Sequence, residues 1–169
     1  MPPFRYALPQ VLVHWAAALA VLFLLATGTL VLADLPNTAQ KVGNLRIHMI
    51  VGGLAGLLVI ARIAMGRRMA APPTLPGDRL ARAGHVALNL VVLLMLLSGA
   101  MLAWRSGALD AVAAGGALPE DFSRFMPRRV HGLASRLAMA LVALHVAAAL
   151  YHQFILRDGL LSRMRPGGR

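Results

Sequence analysis

The sequence predicts an all-α integral membrane protein, a four-helix transmembrane bundle with both termini in the cytoplasm. Three observations predict it. The composition is 59% hydrophobic with 14% charged residues, too apolar for a soluble domain to clothe its core in polar surface. Four apolar runs approach or exceed the roughly 20 residues that a helix needs to cross a bilayer. The loops between those runs carry arginine unevenly, and arginine bias sets orientation in a membrane.

The first run, Val11 to Leu32, reads VLVHWAAALAVLFLLATGTLVL. A signal peptide is the alternative, since Val31-Leu32-Ala33 loosely resembles a cleavage site. The run is longer than the usual apolar core of about 7–15 residues and holds His14 and Trp15 near its start, so a retained span is expected. A loop with Asp34, Pro36, Asn37 and Lys41 leads to the second run, Ile47 to Met65, which opens with His48 and contains Gly52, Gly53 and Gly56. These glycines either let helices pack closely or leave room for a planar cofactor beside the histidine. The proline- and arginine-rich stretch GRRMAAPPTLPGDRLARAG ends that helix. The third run is His85 to Trp104. The loop from Arg105 to Arg129 allows a short interfacial helix around Leu118 to Phe125. The fourth run, Val130 to Leu156, is followed by the basic tail RDGLLSRMRPGGR. One transmembrane domain accounts for residues 1–169.

Four spans put both termini on one side. That side carries Arg5, Arg67, Arg68, Arg79, Arg82, Arg157, Arg163, Arg165 and Arg169. The opposite loops carry Lys41, Arg46, Arg105, Arg124, Arg128 and Arg129, diluted by Asp34, Asp110, Glu120 and Asp121. The positive-inside rule therefore places the termini in the cytoplasm. The net charge of +11 belongs to topology and to anionic membrane surfaces, not to nucleic acid. The absence of cysteine excludes disulfides, thiolate-held iron–sulfur clusters and covalent heme attachment.

The six histidines all fall in or at the ends of predicted spans, where ionisable groups are expensive and point to function. His131 and His145 are fourteen residues apart. At about 100° and 1.5 Å per residue they return to within roughly 40° of one face, about 21 Å apart along the axis. One helix thus offers two imidazoles to two levels of the bilayer. His48 opens a helix from the outer side and matches His131; His14 lies early in a helix from the inner side and matches His145. Zinc prefers one compact tetrahedral cluster. Two pairs at separate depths suit six-coordinate iron, and the expectation is two noncovalent b hemes with His14, His48, His131 and His145 as axial ligands.

The fourteen-residue interval recurs. It links His14 to Gly28 and His85 to Gly99, small residues that would let a ring edge pass, and His48 to Arg62, which could meet a propionate. His85 and His152 remain, near the inner mouth. They are either hydrated interfacial residues or hydrogen-bonding contacts for a quinone carbonyl. A third reading makes one of them the inner ligand. His152 in that role would put the irons about 31 Å apart, nearly the whole hydrocarbon thickness, so His145 is preferred.

These residues resemble the prokaryotic cytochrome b561 family over nearly the whole chain. The carriers are VHW around His14, IHM around His48, AGH at His85, VHG-x₁₁-LHVAAALYHQ from Val130 to Gln153, and the tail RDGLLSRMRP. The resemblance implies a small four-helix diheme cytochrome of the bacterial inner membrane, with the same four histidine ligands. It further implies oxidation of periplasmic superoxide and reduction of ubiquinone. On that reading Arg124, Arg128 and Arg129 would steer the superoxide anion; the alternative makes them ordinary interfacial arginines. Val130 and Gly132 replace the aromatic and acidic flanks of the family pattern, and Arg136 would reach a propionate or snorkel to the surface. Three rivals stand beside this reading. They are a noncatalytic cytochrome subunit serving a dehydrogenase or hydrogenase partner, a carrier exchanging electrons with a soluble protein, and a helical scaffold without heme.

Overall fold

A computed structural model describes residues 4–70 and 78–165. Among them every regular element is helical. Helix α1 is Leu8–Leu30, α2 is Ala39–Arg68, α3 is Asp78–Arg105, α4 is Ala108–Ala114 and α5 is Met126–Tyr151. The last continues through one π turn, His152–Leu156. Among the described residues four helical stretches are long and apolar enough to cross a membrane: Leu8–Leu30, Ala39–Arg68, Arg79–Arg105 and Met126–Leu156. The middle of the proline-rich segment (71–77) and the end of the tail (166–169), with Arg169, lie outside the described residues.

The helices outrun their apolar runs because polar helix formers continue them into the interface. Helix α2 starts at Ala39, well before Ile47, since AQKVGNLR contains no breaker stronger than one glycine. It closes on Arg67 and Arg68, cations that suit a helix C-terminus. Helix α1 has proline in its first turn, where the missing N–H costs nothing. The Ala7 N–H donates to the Gln10 side chain at 3.1 Å. Pro127 plays the same N-terminal role in α5.

The loop before α5 differs from expectation. The helix is not at 118–125 but at α4, where ALDAVAA is alanine-rich and is bounded by Gly107 and Gly115, both left-handed with φ of 71° and 78°. Residues 118–125 hold a single 3₁₀ turn, Phe122–Arg124. There Pro119 blocks a helix and Asp121 takes the Ser123 N–H and hydroxyl, each at 2.7 Å, which competes with helical bonding.

The core lies mid-span. Leu25 of α1, Val91 of α3, and Ala134 and Ala138 of α5 are buried together, with Val21, Val92, Met95, Leu141 and Val142 packed around them. Around the outside large apolar side chains are exposed, among them Leu57 at 66% and Leu97 at 67%. In water this would be an aggregation surface; lipid is the solvent it suits. At the α2–α3 crossing a Cβ on Gly56 would collide with the Leu96 side chain, so this glycine serves close packing.

Polar straps close both ends. At the end remote from the termini, Arg46 donates to the Val112 carbonyl (Nε at 3.1 Å), holding α4 over α2. Asn37 donates to the carbonyls of Pro119 (2.7 Å) and Glu120 (3.2 Å). At the other end the chain reverses after the π turn through Arg157 at φ 53° and Gly159 at φ 73°. A 3₁₀ helix, Leu160–Met164, then lies against the start of the chain. The Tyr6 N–H donates to the Arg163 carbonyl (3.2 Å) and the Trp15 indole to the Met164 carbonyl (3.0 Å).

Candidate heme-binding site

Helices α1, α2 and α5 bring four half-buried histidines into two pairs. At the far level from the termini, His48 of α2 meets His131 of α5, with ring centroids 6.4 Å apart and planes at 70°. At the near level, His14 of α1 meets His145 of α5 at 6.3 Å and 63°. The apolar cluster of Leu25, Val91, Ala134 and Ala138 belongs to the mid-span between them.

The spacing can be compared with what one metal ion requires. A first-row metal–imidazole bond is about 2.0–2.1 Å, and a ring centroid lies roughly 1.1 Å beyond its nitrogen. Two trans imidazoles on one iron therefore have centroids about 6.3 Å apart. Both pairs meet that value. His85 of α3 lies 5.4 Å from His145, too close for the same sandwich, and it is exposed where the four paired histidines are not. Among the described residues no cluster of three His, Asp or Glu side chains could hold a metal ion, so the compact zinc geometry is absent there.

The rings are seated by small residues. A Cβ on Gly99 would lie 3.1 Å from His131 Cε1, and one on Gly28 would lie 3.3 Å from His48 Cε1. Each of these glycines thus makes room for the edge of an imidazole. Gly52 and Gly53, half-buried one turn beyond His48, have nothing within 4 Å of an added Cβ, an open flank suited to a planar group. The His131 Nδ1–H donates to the Met95 carbonyl (3.1 Å) and to Ser98 Oγ (3.2 Å). That tautomer leaves Nε2 with its lone pair free for a metal. His48 Nδ1 is buried without a partner among the described residues.

A family model described as prokaryotic cytochrome b561 matches residues 5–167. The chain belongs to this family. It is a membrane electron-transfer cytochrome of the b type, and the paired histidines fit the heme that such a protein holds noncovalently. Among its curated relatives, "Cytochrome b562" of Cereibacter sphaeroides is 32% identical over 165 residues, covering 94% of each chain. "Probable superoxide oxidase CybB" of Yersinia pestis is 25% identical over 176 residues, covering 98% of each.

The remaining site residues of this cytochrome b561 chain divide by level. Near the termini, Arg62 is half-buried, 3.5 Å from Asn89 Oδ1, on the same level as His14, His85 and His145. His152 is turned to the tail instead, with Nδ1 2.5 Å from Asp158 Oδ2. This bond, first of all, holds the Asp158 carboxyl below the usual carboxylate range. A groove of about 320 Å³ lined by Gln153, Phe154, Arg157 and Gly159 adjoins the pair.

At the far end Arg124 is exposed and lies 3.8 Å from Asp121, so its charge is partly offset. Arg128 and Arg129 are exposed. On an α-helix Arg128 sits one turn before His131, about 60° from it, while Arg129 is about 160° away. Arg128 folds along α5, its Nη1 3.4 Å from the Cβ position of Gly132. A groove of about 170 Å³ lined by Phe23, Thr27, Asn44 and His48, among others, opens between α1 and α2 on this level. Arg136 is exposed on the face of Leu133 and Leu137, which are 64% and 51% exposed, an orientation suited to snorkelling.

Sequence reasoning missed Ser98, the Met95 carbonyl and Asp158. Ser98 had a signal: a hydroxyl beside Gly99 in an otherwise apolar stretch. Asp158 had none, because its bond to His152 depends on the π turn and the reversal after it.

Proposed function

We propose that this cytochrome b561 holds two b hemes, on His48/His131 and His14/His145, and that it oxidises superoxide at the far face and reduces ubiquinone in the membrane. The observation that carries the reading is the pair of histidine separations, 6.4 and 6.3 Å, at two levels of one bundle. The full-length likeness to a probable superoxide oxidase supports the substrate. Arginine predominates at the terminal end, which supports a cytoplasmic position for the termini and the inner membrane as the location. The far face is then periplasmic.

Bound heme b supplies reversible one-electron chemistry. The protein's part is to place and feed it. Two superoxide anions give up one electron each and leave as dioxygen; ubiquinone takes two electrons and two protons to become ubiquinol. Arg128, with Arg129 behind it, raises the local concentration of the anion near His131. Arg124 contributes less because Asp121 lies beside it. At the near end His152 and Asp158 form a hydrogen-bonded pair that can pass protons inward, and His85 can donate to a quinone carbonyl. Arg62, half-buried at the level of His14 and His145, would meet a propionate.

The test is to purify the protein, confirm two b hemes, and mix it with superoxide and ubiquinone. Rapid heme reduction followed by ubiquinol formation is expected. No reduction by superoxide would sink the oxidase reading and leave the cytochrome intact. The 32% identity to a cytochrome b562 favours a second reading, an electron carrier for a partner protein. A redox partner that copurifies with the chain, with no superoxide reaction, would select it.

A further inference from the structure

We infer that Ser98 is a positioning residue that sets the reduction potential of the far-level heme and not of the near one. The inference rests on His131 being an axial ligand, as proposed above. Ser98 is 6% exposed, within the third span. Its hydroxyl donates to the Leu94 carbonyl at 2.6 Å. With its proton committed there, the oxygen presents lone pairs, and His131 Nδ1 lies 3.2 Å from it. The Met95 carbonyl, 3.1 Å from the same nitrogen, is the second acceptor. Gly99 supplies the space, since a Cβ there would stand 3.4 Å from Nδ1 and closer still to Cε1. One turn of α3, Met95 to Gly99, is thus a cradle for one imidazole.

The cradle has an electronic effect. An imidazole that donates Nδ1–H to acceptors becomes a more basic ligand through Nε2, which favours the oxidised iron. Ser98 adds a second acceptor to the carbonyl that helix geometry already provides. On the opposite side His48 Nδ1 is buried and has no such acceptor among the described residues. The far iron would therefore have one enriched and one ordinary ligand, and the adjustable element is a single hydroxyl. At the near level no such bond is made by His14 or His145 among the described residues, and Ser98 touches His131 alone of the four, so it acts on one heme.

The experiment is a redox titration of the purified two-heme protein, read in the visible bands and by electron paramagnetic resonance. It compares wild type with Ser98→Ala and Ser98→Thr. His131→Ala identifies which potential belongs to the far level. Removing the acceptor should raise that potential, with the reduction equilibrium changing by up to about tenfold, the scale of one hydrogen bond, or 59 mV for a one-electron couple. The other potential should stay put, and Thr, which keeps the oxygen, should restore the wild-type value. Loss of the far heme in Ser98→Ala but not in Ser98→Thr supports the assignment equally. Unchanged potentials, equal shifts of both hemes, or a Thr variant that behaves like Ala would overturn it. If both hemes survive His131→Ala, the ligand assignment itself fails, and the role of Ser98 with it.

Discussion

Replacing Gly99 by alanine tests how closely α3 approaches the far histidine pair. The new Cβ would stand 3.1 Å from His131 Cε1, where an unstrained carbon–carbon contact is about 3.5–4.0 Å. The ring must retreat by roughly half an ångström, which stretches the 3.1 Å bond to Met95 and the 3.2 Å bond to Ser98 to the edge of hydrogen-bonding range. Overpacking costs typically about 1–3 kcal/mol. Ligation through Nε2 would hold the ring in place, whereas an unligated ring can give way, so most of the cost falls on the loaded state. A loss of about 2 kcal/mol corresponds to roughly 30-fold weaker binding. Gly28→Ala, with its contact at 3.3 Å, should cost less. The assay is titration of heme into the heme-depleted protein, followed in the Soret band. The expected result is one weakened site in Gly99→Ala, a milder effect in Gly28→Ala, and the other site unchanged. Wild-type affinity at both sites in Gly99→Ala, and again in Gly99→Leu, would refute the close approach.

Three further outcomes are expected. His48→Ala and His131→Ala should abolish the same heme, and His14→Ala and His145→Ala the other. His85→Ala should retain both; loss of the near heme there would transfer ligation from His14 to His85. Arg128→Glu should slow the reaction with superoxide by about threefold to tenfold at low salt, with Arg129→Glu weaker and both effects fading as salt rises; equal effects would deny Arg128 its special position. Asp158 is depressed in the folded protein by its bond to His152, so its contribution to tail attachment is present above the ordinary carboxylate range. That contribution is lost as pH falls through the lowered folded value. In a Trp104→Phe background, emission from Trp15, whose indole donates to Met164, should hold steady across neutral pH and change on strong acidification. Asp158→Asn should mimic that change at neutral pH, and a silent variant would remove the pair from the strap.

Much of this arrangement was legible in the sequence because helix periodicity is a local property. The interval between His131 and His145 alone fixed two levels, and the order of spans matched His48 and His14 to them by depth. Depth does not give rotation. His14 and His85 were both compatible with the near level, and only packing shows His14 at 6.3 Å and His85 at 5.4 Å from His145. Gly56 shows the same limit from another side, since nothing local tells a packing glycine from one that makes room for a cofactor. Helix α4 was missed because its signal is two glycines around an alanine-rich heptapeptide, weaker than the acidic and aromatic cluster that follows it. The tail strap was out of reach, as it joins residues from opposite ends of the chain.

The apolar cluster at mid-span bears on what a membrane containing this protein can conduct. Leu25, Val91, Ala134 and Ala138, with the aliphatic side chains around them, offer no hydroxyl, amide or titratable group to anchor a file of water. Electrons can tunnel through hydrocarbon, whereas protons need a hydrogen-bonded relay. The cluster is thus an insulator for one carrier and not for the other. Under the proposed function, protons consumed at the quinone come from the terminal side alone, and each turnover moves negative charge inward without a return leak of protons.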